Sequence, residues 1–218
     1  MTTLRVTEIF DSLQGEGYWT GIPMTFVRLA GCNAPELGLG CLSWCDTPGA
    51  RDPSAGEEMD VAAIVRGIQL PRLCLTGGEP LLQVEGVATL LAEARRSGIR
   101  VHVETNGTVG PGTAVPDPGF DWVTVSPKPP AYRVATGWDG LIDELKLVAD
   151  DSLDTATAER LAAKHPEAVV FVQPQWVQPQ RGDQGMEDGG SMARAMALVR
   201  DHPEWRLSLQ THKFLGIR

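Results

Sequence analysis

Residues 72–80 read RLCLTGGEP, a short apolar run that is followed directly by a glycine pair and a glutamate. An apolar run of this length between turn residues predicts a buried strand. The arrangement recurs, because ETNGT at 104–108, SPK at 126–128 and QPQW at 173–176 each follow another predicted strand. Each of these turns is ordinary when it is taken alone. Ligands gather at the carboxyl ends of parallel strands, so four such turns in succession predict one rim on which they converge.

Three of the four cysteines lie in a single loop, GCNAPELGLGCLSWCDT at residues 31–47. Cys32, Cys41 and Cys45 can hold three irons of a 4Fe-4S cluster and leave the fourth iron open for chemistry. Two alternatives are a structural zinc site completed by a histidine and a set of simply buried thiols. The loop is polar and glycine-rich and contains no histidine, which favours the cluster. Cys74 lies in the apolar run and is predicted to be part of the strand core.

Hydrophobic periodicity predicts an α/β fold in which short strands alternate with few helices. Several steps between strands, as from Val125 to Leu145, consist of Gly- and Pro-rich loops without a helical pattern. The pattern therefore predicts a partial (β/α) barrel rather than a complete eightfold barrel. We also expect a mobile loop at 182–191. The predicted strands are 25–29, 73–76, 101–104, 122–125, 144–148, 169–172 and 206–209, and the predicted helices cover 61–68, 87–94, the surroundings of Leu161, and 192–199.

The composition predicts a compact enzyme of the cytosol. At 218 residues the chain is long enough for one sizeable core, so we expect a single domain that spans residues 1–218. No segment has the apolar length of a membrane span, and the N-terminus lacks a signal-peptide pattern. The net charge of −9 argues against general nucleic-acid binding. An anionic substrate would meet local cations, and the candidates are Arg28, Lys128, Lys146, His212 and Lys213.

The motifs together resemble a known family. A cysteine triad with an aromatic residue, Trp44, before its last member, followed by GGE at 77–79, resembles the radical S-adenosylmethionine (SAM) superfamily. The segments EIFDSLQGEG, FVRLAGCN, WCDT, TGGEP, ETNGT, VSPK, ELK, VQP and WRLSLQTHKFL resemble the 7-carboxy-7-deazaguanine synthase family, from Glu8 to the C-terminus. The cysteine spacing is wider than the family's common pattern, since eight residues separate the first two cysteines and three the last two. This departure concerns the path of the loop rather than the identity of its ligands.

The resemblance implies a trimmed radical SAM core and a carbon–nitrogen lyase. The implied reaction converts 6-carboxy-5,6,7,8-tetrahydropterin into 7-carboxy-7-deazaguanine with loss of ammonia, in deazapurine and queuosine biosynthesis. The implied cofactors are a 4Fe-4S cluster on Cys32, Cys41 and Cys45, SAM, and Mg²⁺ on Thr47, with Asp46 as a rival ligand. The implied partners are an electron donor such as flavodoxin or ferredoxin and a second copy of the chain in a homodimer.

The family's motifs also assign residues to the two small molecules. Gln14 and Glu16 can supply the donors and acceptors that a pterin edge needs. Arg28 suits a carboxylate, although a strand-end salt bridge is its alternative role. By resemblance, the terminal carboxylate of Arg218 turns towards the pterin. The implied substrate contacts are Leu13, Gln14, Gly15, Glu16, Arg28, Thr76, His212 and Arg218, and the implied SAM contacts are Gly77, Gly78, Glu79, Ser126, Pro127, Lys128, Gln173, Pro174, Gln175 and Trp176.

Two other functions are compatible with these motifs. The first is a different radical SAM reaction, such as the activation of a glycyl-radical enzyme, and the second is a non-enzymatic zinc protein. The lack of extra cysteines for auxiliary clusters and the LQGEG motif at 13–17 speak against the first. Iron bound together with acid-labile sulfide would exclude the second.

Overall fold

The structure is a computed structural model that describes residues 2–115, 119–177 and 186–218. Residues 182–185, the first part of the loop predicted to be mobile, lie outside the described residues. The strands are β1 (Thr3–Leu13), β2 (Pro23–Leu29), β3 (Glu57–Asp60), β4 (Arg72–Gly77), β5 (Arg100–Thr105), β6 (Trp122–Val125), β7 (Glu144–Val148), β8 (Val169–Gln173), β9 (Trp176–Val177), β10 (Met186–Glu187) and β11 (Arg206–Leu207). The helices are α1 (Ala34–Leu37), α2 (Val61–Gly67), α3 (Val84–Arg96), α4 (Thr155–Lys164), α5 (Gly189–Asp201) and α6 (Thr211–Leu215).

Within the described ranges, nine strands form one open sheet in the order β11-β8-β7-β6-β5-β4-β2-β1-β3. The seven strands from β2 to β11 in this order pair in parallel. The other two, β1 and β3, add antiparallel pairs at one edge. The predicted partial barrel is therefore confirmed, with an antiparallel N-terminal edge that the pattern did not predict.

Few helices cover this sheet, as the periodicity predicts. The apolar residues of α2 and α3 pack on alternate residues of β2, β4, β5 and β6, and those of α4 and α5 pack on β7 and β8. Three of these helices begin at an aspartate whose carboxylate accepts a hydrogen bond from an amide in the first turn: Asp60, Asp154 and Asp188. The connections from β5 to β6 and from β6 to β7 contain no α-helix in their described parts.

On β5 and β7 the opposite face of the sheet carries polar side chains that are largely buried. Side chains alternate between the two faces of a strand, so every second residue points away from the helices. On β5 these residues are His102 and Glu104, and on β7 they are Glu144 and Lys146, all of them buried except for the partly exposed Glu104. A fold that encloses this many polar groups must pair them with one another or with a ligand.

Two sequence predictions are corrected at the ends of elements. The strand predicted at 206–209 ends at Leu207. The Ser208 amide still donates to the Val172 carbonyl, but the strand does not continue beyond it and α6 begins at Thr211. Residues 211–215 form the short helix α6 instead of a tail that follows a longer strand. A membrane-spanning helix is not found among the described residues, since no helix there combines the necessary length and apolar character.

Candidate active site

A cavity of about 610 Å³ opens at the carboxyl ends of the parallel strands. This volume lies within the range of small-molecule sites, about 300–1,000 Å³. The turns predicted to converge do so, since the cavity lining includes residues from the ends of β2, β4, β5, β7 and β8. Two of the predicted site residues, Glu79 and Pro127, lie outside the cavity lining. The other predicted site residues line the cavity: Leu13, Gln14, Gly15, Glu16, Arg28, Cys32, Cys41, Cys45, Thr47, Thr76, Gly77, Gly78, Ser126, Lys128, Gln173, Pro174, Gln175, Trp176, His212 and Arg218.

The three loop cysteines are free thiols at one side of this cavity. They are near enough to influence one another electrostatically, and burial raises the pKa of Cys32 and of Cys41. However, no three His, Cys, Asp or Glu side chains among the described residues lie close enough to hold a single metal ion. Three cysteine thiols that border one cavity are a donor set that fits an iron–sulfur cluster.

The widened spacing of the cysteines is accommodated inside the loop. Ala34–Leu37 forms the single turn α1, which ends at Gly38 in the left-handed conformation. Leu39 then turns inward and packs with Ala34 and Cys41 in a small apolar cluster. The extra residues thus form a local core of their own, and all three cysteines still border the cavity.

The Gly-Gly turn after β4 packs directly on the cysteine loop. Gly77 has a φ of 154°, and a Cβ there would lie 2.4 Å from the Leu29 carbonyl oxygen. A Cβ on Gly78 would lie 2.2 Å from the Gly31 carbonyl oxygen and 2.7 Å from the Cβ of Cys32. Because only hydrogen fits at either position, these glycines bring the end of β4 against the first cysteine.

Glu79 does not face the cavity. Its side chain is completely buried, and the carboxylate accepts hydrogen bonds from the amides of Leu81 and Asn106 and from the Thr105 hydroxyl. Burial raises the pKa of Glu79 to about 7, although these donors favour the ionised form. The Glu79 side chain therefore joins the Gly-Gly turn to the end of β5, and its contact with SAM stays a prediction.

The floor of the cavity is a network around Glu104. Its carboxylate accepts from Gln14 Nε2 at 3.0 Å and from the Thr76 hydroxyl at 3.1 Å. Burial would favour the neutral acid, but the Lys146 ammonium and these donors lower the pKa of Glu104 to about 2. At neutral pH an ionised acceptor therefore lines the cavity.

Lys146 is the cation that pairs with Glu16 and Glu104 in this network. Its ammonium donates to Glu16, and the other Glu16 oxygen accepts from Gln210 Nε2 at 2.6 Å. Burial acts against the charge, but Glu16 and Glu104 raise the pKa of Lys146 well above its ordinary value. Burial likewise acts against an ionised Glu16, yet Lys146 lowers its pKa. These three side chains are therefore charged together in spite of their burial.

Arg28 forms the salt bridge that is its alternative role, and its contact with the substrate stays a prediction. The Arg28 Nε lies 2.6 Å from a Glu8 oxygen, and this salt bridge joins the neighbouring strands β2 and β1. The Arg28 side chain also lines the cavity. The C-terminus docks on the same side, because the Arg218 guanidinium lies 2.7 Å from Glu8 and the Arg218 oxygen accepts from Ser12. The predicted docking of the last residues is thus observed.

A second cluster of charged side chains, Asp46 and Lys213, lines the cavity near Cys45. Asp46 lies 2.8 Å from the Lys213 ammonium and accepts from Gln210 Nε2 at 3.3 Å. The adjacent Thr47 hydroxyl lies 3.9 Å from the Cys45 sulfur. The His212 ring packs on Gly15, where an added Cβ would lie 2.0 Å from Nδ1, and burial lowers the pKa of His212.

The loop after β6 supplies the remaining predicted cation. Lys128 donates to the Ser126 hydroxyl at 2.7 Å and lies 5.3 Å from the centre of the Trp44 ring. Burial and the nearby Lys146 lower the pKa of Lys128. The loop also holds the cysteine segment, because the Pro129 carbonyl accepts from the Gly40 amide at 2.8 Å.

Sequence reasoning missed two residues that take part in this network. Glu104 ends a predicted strand inside ETNGT, and the alternation of β5 would have placed it on the polar face with His102. Gln210 lies between two quoted motif residues, but it gave no signal of its own, since its contacts with Glu16 and Asp46 join residues more than 160 positions apart.

The chain is similar in sequence to several curated proteins that share one name. The chain is 39% identical over 230 residues to the 7-carboxy-7-deazaguanine synthase of Bradyrhizobium diazoefficiens, with 98% of each chain covered. It is 37% identical over 234 residues to that of Nitratidesulfovibrio vulgaris, with 99% of each covered. It is 35% identical over 222 residues to that of Methanospirillum hungatei, which covers 98% of this chain and 86% of the relative. No family model matches the chain.

A solved structure is also similar. The crystal structure of QueE from Escherichia coli matches the fold with a TM-score of 0.75 at 24% identity, covering 97% of this chain and 96% of that one. The partial barrel and its cavity, with three loop cysteines beside a Gly-Gly turn, define an enzyme core of the trimmed radical SAM class. The chain belongs to the 7-carboxy-7-deazaguanine synthase family, because relatives above 30% identity cover nearly its whole length. The resemblance seen in the sequence motifs is confirmed.

Proposed function

We propose that the chain is a radical SAM lyase that converts 6-carboxy-5,6,7,8-tetrahydropterin into 7-carboxy-7-deazaguanine and ammonia. The observation that carries the proposal is the convergence of three free thiols, the Gly-Gly turn and an ionised Glu104–Lys146–Glu16 floor on one cavity. Membership of the synthase family supports the same reaction. We propose that residues 1–218 act as one catalytic unit in the cytoplasm.

The cysteine side of the cavity would hold the cofactors. Cys32, Cys41 and Cys45 would bind a 4Fe-4S cluster, and Gly77 and Gly78, which line the cavity beside the first cysteine, would contact SAM. When bound, these groups supply one-electron radical chemistry. The further proposed SAM contacts that line the cavity are Ser126, Lys128, Gln173, Pro174, Gln175 and Trp176.

The opposite side of the cavity would hold the pterin. A pterin ring presents N–H donors and ring acceptors along one edge, and the ionised Glu104 with Gln14 and Glu16 supplies matching partners. Charged acceptors that other side chains already hold in place lose little freedom on binding. Arg28, which is fixed by Glu8, would meet the substrate carboxylate or a ring oxygen.

Thr47 is the proposed ligand of Mg²⁺, with Asp46 as its rival. Mg²⁺ prefers oxygen ligands and is usually held by one or two protein groups together with substrate oxygens and water. Asp46 is engaged by Lys213 and Gln210 on the same oxygen, whereas the Thr47 hydroxyl lies at the cavity with the Cys45 sulfur as its near neighbour. Thr47 is the ligand by resemblance, and Asp46 stays its rival because both donors bind the same one of the two Asp46 oxygens.

The residues of the chain contribute positioning and the exclusion of water. Docking of the C-terminal residues and the His212 ring over Gly15 narrows the pterin side of the cavity. A reactive centre needs such closure, because the target bond must lie at near contact and other hydrogen donors must be kept away. We further propose an external electron donor, such as flavodoxin or ferredoxin, and a homodimeric assembly.

The test is to measure SAM cleavage and ammonia release by the anaerobically reconstituted enzyme, with and without the carboxypterin. We expect ammonia only when the carboxypterin, SAM and a reductant are all present. SAM cleavage without ammonia would leave the radical SAM class standing and contradict the substrate. The comparison variant is Cys45→Ala, which removes one thiol from the cavity lining and is expected to give neither SAM cleavage nor ammonia.

A further inference from the structure

Strand β7 carries the ELK motif, and its glutamate lies beneath the cavity rather than in its lining. Glu144 and Lys146 are two residues apart, so both side chains point to the inner face of the sheet. Lys146 reaches Glu16 at the cavity, whereas Glu144 is deeper and only 2% exposed. A buried carboxylate requires partners that compensate its lost hydration.

The partner of Glu144 is the turn that follows Glu16. One carboxylate oxygen accepts a hydrogen bond from the Tyr18 amide at 3.0 Å. The other oxygen lies against Gly17, where an added Cβ would be 2.1 Å away. Gly17 also has a φ of 64°, so both its conformation and the proximity of Glu144 require glycine.

Two further contacts hold the same segment. The Gly17 amide donates to the Ser208 hydroxyl at 3.0 Å, and the Gly15 carbonyl accepts from the Thr211 amide at 2.9 Å. Glu16 lies between these anchored glycines, and its side chain is directed to Lys146 and Gln210. The position of the Glu16 carboxylate therefore depends on how firmly the backbone on either side is held.

Charged groups of two strands and of the turn surround Glu144. Burial raises the pKa of Glu144 to about 7, while Lys146 and the Tyr18 amide favour the ionised form and Glu104 opposes it. Glu16 faces Lys146 from the turn, and His102 faces Glu104 from β5. The Tyr18 amide is a backbone donor to this poorly solvated carboxylate, and a donor to an ionised group is stronger than a neutral pair.

We propose that Glu144 is a positioning residue for substrate binding, acting through the Gly17–Tyr18 turn to present Glu16 to Lys146 and to the carboxypterin. The inference rests on the proposed function, in which Glu16 contacts that substrate. Loss of the Glu144 carboxylate frees the Tyr18 amide, and the turn then no longer fixes Glu16. We place SAM against the Gly-Gly turn and the loop after β6, so its binding would depend on this segment chiefly through the hydrogen bond from Ser208 to Gln173.

The test is to measure KM for the carboxypterin and KM for SAM in the reconstituted enzyme. Glu144→Ala is expected to raise the KM for the carboxypterin about tenfold, the effect of one lost hydrogen bond to a charged group. The KM for SAM is expected to change by less than about twofold. Glu144→Gln keeps an oxygen for the Tyr18 amide and should restore most of the affinity. Glu58→Ala, which removes an exposed carboxylate on β3, is the matched control and should change neither value.

Equal increases in both KM values, or no rescue by Glu144→Gln, would overturn the positioning role. If Glu144→Ala does not fold, Glu144→Asp keeps a buried carboxylate but withdraws it from the Tyr18 amide, and it is expected to give the same selective rise. An unchanged KM for the carboxypterin in that variant would also overturn the inference. A wild-type enzyme that makes no product contradicts the proposed function and this inference together, whereas an active wild type with an unaffected Glu144→Ala contradicts the inference alone.

Discussion

Replacing Gly78 by alanine tests the packing of the Gly-Gly turn on the cysteine loop. The added Cβ would lie 2.2 Å from the Gly31 carbonyl oxygen and 2.7 Å from the Cβ of Cys32. A carbon atom approaches a carbonyl oxygen to about 3.3 Å, so the loop and the turn must separate by about 1 Å. Such overpacking costs about 1–3 kcal/mol of stability, and a misplacement of about 1 Å costs about a hundredfold in rate. We therefore expect a folded Gly78→Ala protein with about a hundredfold slower product formation.

The assay combines iron content after anaerobic reconstitution with the rate of product formation. Gly49→Ala is the matched control, because Gly49 lies just beyond the cysteine loop and an added Cβ there would meet no atom within 4 Å. The control is expected to behave like the wild type. Wild-type iron content and rate in Gly78→Ala would refute the reasoning, since the turn would then tolerate a displacement that the geometry forbids.

Three further changes address the thiols, the buried charges and the internal carboxylate. Cys45→Ala should keep its circular dichroism spectrum and lose its iron, and a variant that still forms product would contradict the triad. Lys146→Met leaves Glu16 buried without its counter-charge. The free energy of unfolding of the metal-free protein, measured by urea denaturation, should therefore fall by about 3–5 kcal/mol. A fall below about 1 kcal/mol would contradict the pairing. The pKa of Glu79 is raised from 4.5 to about 7, so the folded chain binds more protons there than the unfolded chain and this group's contribution to stability declines as pH rises through that window. Glu79→Gln should therefore show a shallower decline in stability between those pH values than the wild type, and equal slopes would contradict the assignment.

The sequence predicts the central strands because their local signals are strong. The strands predicted at 122–125 and 144–148 have the observed bounds, since each is an apolar or alternating run that turn residues interrupt. The rim is predictable for a related reason. Parallel strands place their carboxyl ends at one edge of the sheet, so short turn motifs that are far apart in the chain meet there. Their convergence can therefore be predicted before their contacts are known.

The remaining features depend on contacts that no local pattern encodes. The edge strand β3 has a polar sequence, EEMD, and exists because its backbone pairs with β1. Glu79 follows the Gly-Gly turn in the sequence, but the hydrogen bonds with Asn106 and Thr105 determine that its side chain points inward. Gln210 is likewise assigned by its partners, which lie near the beginning of the chain.

In the proposed function, this cavity converts the carboxypterin into a deazapurine. Mass spectrometry of the products formed by the anaerobically reconstituted wild-type enzyme with SAM, reductant, Mg²⁺ and the carboxypterin tests it most directly. We expect a product with the mass of 7-carboxy-7-deazaguanine, formed in many turnovers and absent from Cys45→Ala. Unchanged carboxypterin in the presence of an iron-loaded enzyme would contradict it.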